Sequence, residues 1–130
     1  MFEEGEYQIR VRRECNDAAS DERWTDAVEP CSEAAKGEER GYRILRGHYN
    51  GAAQQDLMQA ALYWIKTATA VSNLQYRTEG RRIIYHIRDL LAQVNEADLA
   101  RDDREYKTHY VQVYHDMRDT ISGFIKRFQQ

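Results

Sequence analysis

Three of the four histidines follow an arginine by five positions, a spacing that could support acid–base chemistry on a phosphodiester. An imidazole that titrates near neutral pH can remove the proton from a ribose 2′-hydroxyl, and a guanidinium can stabilise the charge that develops at phosphorus. The three pairs are Arg43 with His48, Arg81 with His86, and Arg104 with His109. Of these pairs, Arg81 with His86 is the most suitably placed for such chemistry.

The six residues from Arg81 to His86 resemble the Arg-x4-His signature of HEPN-type ribonucleases, which are small all-helical dimers. The resemblance implies RNA cleavage without a metal ion, with Arg81 and His86 as the working residues. It also implies a dimer that brings two such pairs together. A HEPN-like metal-independent ribonuclease is therefore one alternative function.

Histidine and aspartate share helix faces at two places, which raises the question of a metal site. His86 precedes Asp89 by three positions and His115 precedes Asp119 by four, so each pair projects from one helix face. Imidazole and carboxylate together can bind a divalent metal. Metal centres in helical bundles use more carboxylates and Glu-x-x-His motifs, however, and this chain has no Glu-x-x-His. We predict no metal and no other cofactor, and helix salt bridges account for these residues.

Arginines and tyrosines are interleaved over residues 76–88, a pattern typical of proteins that bind single-stranded nucleic acid. Nearby acids such as Glu79 and Asp89 neutralise most of this charge, and the net charge of the chain is −3. A solvated face with ion pairs therefore accounts for the pattern equally well. A nucleic-acid-binding subunit of a larger complex is the second alternative function. Its candidate residues are Arg77, Arg81, Arg82, His86 and Arg88.

The composition of the chain bounds its class. Its 130 residues predict a single domain, 1–130, and no run of about 18 apolar residues is present to span a membrane. Cys15 and Cys31 lack a Cys-x-x-Cys spacing and are predicted to be free thiols, with one bridge between them as the alternative. Free thiols are typical of the reducing cytoplasm. The N-terminus is acidic, whereas a secretory signal begins with positive charge, and this also favours the cytoplasm. The motifs of phosphate loops and catalytic nucleophiles are absent, so we predict no catalytic or cofactor-binding residues.

Hydrophobic periodicity predicts a mostly α-helical chain. Apolar residues at spacings of three and four indicate helices near 21–28, 52–73, 80–95 and 97–128. Alternating apolar residues predict a strand over 6–13, which would pair with 42–46, with a second copy or with a target. We expect an antiparallel helical bundle with a long C-terminal helix and a small two-stranded N-terminal β element. The pattern over 30–50 leaves the structure of that region open.

The predicted C-terminal helix, 97–128, is the basis of a functional hypothesis. It is longer than the helix before it, so part of its apolar stripe would find no cover within one chain. Tyr106 and Tyr110 follow the stripe, whereas Tyr114 falls off it and is predicted to be exposed. We expect a non-enzymatic protein–protein interaction module, acting as adaptor, regulator, complex subunit or inhibitor, that forms a homodimer. Its candidate partner-binding residues are Tyr7, Arg10, Arg12, Tyr114, Arg118 and Phe128.

Overall fold

The computed structural model describes residues 2–129, and every regular element in that range is an α-helix. The six helices are α1 Phe2–Ser20, α2 Trp24–Leu45, α3 Asn50–Asn73, α4 Arg77–Leu91, α5 Glu96–Tyr106 and α6 Tyr110–Phe128. Connections of three or four residues join them, and α3 is central because it packs against all five others. The prediction of a helical bundle is confirmed. Within residues 2–129, none of the helices combines the length and the apolar character that crossing a bilayer requires.

The predicted strand 6–13 is wrong, because this segment lies inside α1. The buried apolar positions of α1 are spaced by four and three residues, as on one face of a helix. They are Val11, Cys15 and Ala18. Ile9, on which the alternating pattern depended, is 60% exposed. The predicted partner strand, 42–46, lies instead at the end of α2, so the expected β element is absent from the described residues.

The helix predicted over 21–28 begins at Trp24 and continues through Pro30 as part of α2. Proline lacks the N–H that would bond one turn back and crowds that carbonyl, so it usually starts or ends a helix. Here the side chains on the buried face of α2 are small and pack closely, which offsets that cost. These fully buried residues are Ala27, Cys31, Ala34 and Ala35.

Gly37 and Gly41 lie within α2, where they allow side chains of the neighbouring helices to approach its backbone. A Cβ at Gly37 would overlap the side-chain amide of Gln8 on α1. One at Gly41 would overlap the carboxylate of Asp56 on α3. A side chain at either position would therefore force the neighbouring Gln8 or Asp56 side chain to shift.

The predicted single helix 97–128 is wrong, because the chain turns between α5 and α6. Lys107 has a left-handed φ of 55°, which ends α5. Asp103 then caps α6: its Oδ1 accepts the Tyr110 N–H at 2.9 Å and its Oδ2 accepts the Val111 N–H at 2.9 Å. This corner contains neither Gly nor Pro, so the sequence lacks the usual signal for a helix end.

The turn changes which residues of the C-terminal region are buried. Tyr114, predicted to be exposed, is 7% exposed, and Tyr106, assigned to the core stripe, is 61% exposed. Met117 and Ile121 are buried on the same helix as Tyr114. Since α6 packs against α4, these residues are covered within one chain. The C-terminal region therefore does not form one continuous uncovered stripe, and the apolar surface that stays exposed on α6 includes Phe124, which is 36% exposed.

The segments predicted as helices 52–73 and 80–95 correspond to α3 and α4. α4 begins three residues earlier and ends four residues earlier than the pattern indicated. Large aliphatic side chains at helical spacing on these two helices form most of the core. Those that are almost completely buried are Leu57, Met58, Val71, Ile83 and Ile87.

Cys15 and Cys31 form a disulfide that joins α1 to α2, so the prediction of free thiols is wrong. Their α-carbons lie 4.6 Å apart, and both residues are fully buried. The small side chains along this interface allow the two helix backbones to come this close. A separation of 16 residues between two cysteines does not by itself indicate a disulfide. Only the packing of α1 on α2 shows that the two positions meet.

Candidate functional site

A groove of about 500 Å³ opens between α3, α4 and α6. We call it the aromatic groove, after the rings of Tyr76, Phe124 and Phe128 in its walls. Its lining comprises Ile65, Ala68, Thr69, Ser72 and Asn73 of α3, Tyr76 before α4, Arg77, Gly80, Arg81 and Ile84 of α4, and Thr120, Ile121, Phe124 and Phe128 of α6. Most binding sites for ligands have volumes of about 300–1,000 Å³ and mainly apolar linings. The aromatic groove has both properties.

Gly80 forms part of the α4 wall of the aromatic groove. A Cβ at Gly80 would meet one atom within 4 Å, Cγ2 of Val71 at 3.7 Å, which is an ordinary contact. Packing therefore does not require glycine here, in contrast to Gly37. A glycine inside a helix costs about 1 kcal/mol of stability relative to alanine. The effect of Gly80 is to leave space in the wall of the groove.

Two aromatic side chains of the groove are in contact with solvent. Tyr76 is 58% exposed and Phe124 is 36% exposed. An exposed aromatic surface next to an apolar groove is typical of a binding site, because covering it removes apolar area from water.

Arg77 and Arg81 place positive charge at the rim of the aromatic groove. They lie one turn apart on α4, and both are exposed. The Arg81 guanidinium carbon lies 5.0 Å from the centre of the Phe128 ring, a cation–π contact that orients it along the groove. Within residues 2–129, neither arginine has a carboxylate at ion-pair distance. The rim therefore carries two positive charges that are available to a partner.

His86 contacts different helices from Arg81. Its Nε2 lies 3.0 Å from Oε2 of Glu39 on α2, and the Trp64 indole N–H of α3 donates to the same oxygen at 2.6 Å. The His86 ring also packs edge-on against Trp64, with ring centres 5.3 Å apart. Because Arg81 packs instead on Phe128 of α6, the structure does not bring Arg81 and His86 together.

The other two arginines that are candidates for nucleic-acid binding, Arg82 and Arg88, have acidic partners on α4. The Arg82 Nε donates to Glu79 at 3.2 Å, and hydrogen bonding to Arg82 lowers the pKa of Glu79. Arg88 donates to Asp89 at 3.1 Å, and its guanidinium lies over the Tyr85 ring. These two charges are neutralised locally, so the four arginines of α4 do not form one continuous positive surface.

The candidate partner-binding residues of α1 make contacts within the chain. Tyr7 is half-buried, and the guanidinium of Arg10 lies 5.1 Å from the centre of its ring. Arg10 also lies 3.8 Å from a carboxylate oxygen of Glu14. The Arg12 Nε lies 3.2 Å from Oε1 of Glu38, which is buried. Arg12 therefore serves the contact between α1 and α2, whereas Tyr7 and Arg10 line a polar cleft between these helices.

The candidate partner-binding residues of α6 lie in two different places. Arg118 lies over the ring of the buried Tyr114, with 5.7 Å between the guanidinium carbon and the ring centre. Both line a small cleft between α4 and α6. Phe128 lines the aromatic groove, where it contacts Arg81 and Tyr85. Of the six candidates, Phe128 is the one that the structure places in the groove.

The two histidine–aspartate pairs do not come together. The Nε2 of His115 lies 2.6 Å from Oε1 of Glu96 at the start of α5, whereas His86 faces Glu39. Across residues 2–129, no group of three or more His, Cys, Asp and Glu side chains is arranged to hold a metal ion.

Two carboxyl groups, those of the buried Glu38 and the half-buried Asp56, lie next to each other where α1, α2 and α3 meet. Burial and a hydrogen bond with Asp56 raise the pKa of Glu38 to about 7, against the opposing charge of Arg12. Burial also raises the pKa of Asp56. The buried Gln8 amide next to them donates to the Ala34 carbonyl at 2.9 Å. The protonation of this pair depends on pH. The pair lies apart from the aromatic groove, which α1 and α2 do not line.

Sequence reasoning missed most of the aromatic groove. Arg77 and Arg81 are candidates for nucleic-acid binding and Phe128 for partner binding, whereas Tyr76, Gly80 and Phe124 are not among the predicted site residues. Gly80 is the first residue of the predicted helix 80–95, where a glycine gives no signal, and only the earlier start of α4 places it inside a helix. The remaining residues come together through the turn between α5 and α6, which the sequence does not indicate.

No family model, curated protein or solved structure matches the chain. The function therefore has to be inferred from the chemistry of the site.

Proposed function

We propose that the protein is a non-enzymatic protein–protein interaction module and that the aromatic groove is its recognition site. The observation that carries this proposal is an open apolar groove lined by three aromatic rings. An apolar segment of another protein in this groove would remove that surface from water. The protein would then act as an adaptor, a regulator, a complex subunit or an inhibitor.

The residue types of the groove support this proposal. Aromatic residues and arginine are enriched at protein interfaces and account for most residues whose loss weakens binding strongly. The aromatic groove combines Tyr76, Phe124 and Phe128 with Arg77 and Arg81. All five lie on helices or immediately next to one, so the surface is held by regular structure rather than by a long loop.

The geometry favours neither alternative function. A ribonuclease would need His86 and Arg81 at one site, whereas these side chains contact different helices. A nucleic-acid-binding surface would use Arg82 and Arg88 as well, but both already have acidic partners. The mainly apolar lining of the groove also suits a protein segment better than a phosphate backbone.

Self-association and a cytoplasmic location stay predictions. The homodimer prediction rests on one continuous uncovered stripe over 97–128, whereas the turn between α5 and α6 divides this segment and Tyr114, Met117 and Ile121 are buried. The cytoplasm was favoured by free thiols, whereas a disulfide such as Cys15–Cys31 is typical of an oxidising compartment. Light scattering on the purified chain, whose mass is 15.4 kDa, measures the oligomeric state directly.

A library of 16-residue peptides displayed on phage tests the proposed function. Gly80→Leu places a side chain in the groove wall from a position that offers room for a Cβ. Gly123→Leu is the matched control, because Gly123 is also inside a helix, has no atom within 4 Å of a Cβ, and does not line the groove. We expect peptides selected on the unmodified protein to bind Gly123→Leu and to be lost from Gly80→Leu.

Circular dichroism and thermal unfolding of both variants show whether each retains the fold. If the fold is retained and the selected peptides bind all three proteins equally, the aromatic groove is not the recognition site. A selection that yields no peptide dependent on the open groove contradicts the proposal in the same way.

A further inference from the structure

We infer that the segment bound in the aromatic groove is an amphipathic helix that carries two acidic residues one turn apart, an inference that rests on the proposed function. Two features of the groove lead to it. The apolar walls are about two helical turns long, and two arginines without a carboxylate partner in residues 2–129 lie one turn apart along one rim.

The length of the walls matches the apolar face of a short helix. The lining residues of α3 span 65–73 and those of α6 span 120–128. Eight residue steps at 1.5 Å each make either wall about 12 Å long. Apolar side chains at positions i, i+4 and i+7 of a bound helix span about 10.5 Å. Three such side chains therefore fit along the groove.

The chemistry of the walls favours a helix over an extended peptide. An extended peptide leaves its N–H and C=O groups to be bonded by the protein that binds it, usually at the edge of a sheet. The groove walls are helices, whose backbone groups already bond to one another. The Thr69 hydroxyl donates to the Ile65 carbonyl at 2.8 Å and the Asn73 amide donates to the Thr69 carbonyl at 2.8 Å. A bound helix needs no such partners because its own backbone is already bonded.

The charge of the rim defines the polar side of the partner. Arg77 and Arg81 are four residues apart, so they are separated by about 6 Å along α4. Two carboxylates at positions i and i+4 of a helix that lies alongside have the same spacing. Each guanidinium can bind a carboxylate through two parallel hydrogen bonds. A partner with lysines at these positions would be repelled.

The peptides that depend on the open groove in the phage selection provide the test. We expect two acidic residues four positions apart in them, next to apolar residues at helical spacing, and helical circular dichroism on binding. Arg77→Glu combined with Arg81→Glu should raise their Kd roughly tenfold or more, because two attractions become repulsions. Exchanging the two peptide acids for lysine should restore binding to this double variant.

Arg82→Glu combined with Arg88→Glu is the matched control, since these exposed arginines lie on the same helix but outside the groove lining. We expect a change in Kd of no more than about twofold for this variant. Peptides that need the open groove but lack acids, bind in an extended form or ignore the Arg77 and Arg81 reversals overturn this inference and leave the proposed function standing.

If no peptide depends on the groove, the inference and the proposed function both fail. Calorimetric titration with sodium dodecanoate then identifies the alternative occupant. Binding to the unmodified protein that is lost in Gly80→Leu would show that the groove holds a small amphiphile instead of a protein segment.

Discussion

The helix pair α1–α2 packs through small side chains, whereas α3, α4 and α6 pack through large ones. Between α1 and α2 the buried residues are mostly cysteine and alanine, and a disulfide holds the two backbones together. Around the groove, isoleucine and phenylalanine side chains separate the helices, and Gly80 leaves space between them. Small side chains bring the α1 and α2 backbones together, and the cleft between these two helices is lined mainly by polar residues, whereas the lining of the aromatic groove is mainly apolar.

The two regions also differ in how they treat charge. In the first region Arg12 lies 3.2 Å from the buried Glu38, and burial together with a hydrogen bond to Asp56 raises the pKa of Glu38. In the second, Arg77 and Arg81 have no carboxylate at ion-pair distance within residues 2–129. In the α1–α2 region Arg12 has a carboxylate partner within the chain, whereas the groove presents charges that a partner can satisfy. We therefore expect the first region to contribute mainly to stability, and the second is the region where we propose recognition.

Removing the disulfide should have the largest effect on the stability of the α1–α2 region. Replacing both Cys15 and Cys31 by alanine should lower the free energy of unfolding by about 3 kcal/mol. In the unfolded chain the bond closes a loop between residues 16 positions apart, and closing a loop of that length stabilises the fold by about this amount. Urea denaturation of the variant and of the unmodified protein measures the difference. Equal midpoints for the two proteins would show that small-residue packing suffices without the bond.

The buried carboxyl pair should make stability fall as the pH rises. The pKa of Glu38 is about 7 in the folded protein and 4.5 in an exposed reference state. Between these pH values the folded protein binds more protons than the unfolded chain, so the free energy of unfolding decreases and then levels off above pH 7. The decrease should be on the order of 2 kcal/mol. Urea denaturation from pH 4 to pH 8 measures it.

Glu38→Gln and Glu29→Gln separate this effect from the titration of surface acids. Glutamine at position 38 keeps the shape of the side chain but does not titrate, so the decrease between pH 4.5 and 7 should become smaller. Glu29 is exposed on the same helix, and its replacement should leave the pH profile unchanged. A Glu38→Gln profile identical to that of the unmodified protein would show that the carboxyl pair does not control stability.

The smallest expected change in stability comes from making the same glycine-to-alanine substitution in each of the two regions. Gly37→Ala should lower stability by about 1 kcal/mol, because its Cβ displaces the buried Gln8 amide from its bond with Ala34. Gly80→Ala should raise stability by up to about 1 kcal/mol, because the new Cβ meets only an ordinary contact and alanine favours the helix. Thermal unfolding of the two variants measures both changes. Shifts of the same sign would contradict the contrast between the regions.

The parts of the fold that follow from local periodicity could be predicted from the sequence. The apolar residues of α3 and α4 recur at helical spacing, and both helices are present within a few residues of the expected ends. The region from 6 to 13 shows the limit of this method. An alternating pattern of three residues is too short to distinguish a strand from a helix that exposes Ile9.

The parts that depend on tertiary contacts could not be predicted. The corner after α5 depends on Asp103, which caps α6 from seven positions before Tyr110. Pro30 lies inside α2 because small residues around it pack well, and no local rule expresses that balance. The aromatic groove needs α6 to return along α4, so its residues could be assigned only after the corner was known.

The complete burial of Cys15 and Cys31 has a kinetic consequence. Disulfide reduction begins when a thiolate attacks one of the two sulfur atoms, and neither cysteine has any surface that a reagent could reach. A reductant therefore has to wait until α1 separates from α2 in a local opening of the native protein. The rate at which the folded chain is reduced reports how often this separation occurs. The packing of α1 on α2 shields the disulfide from reductants, and the disulfide holds the two helices together.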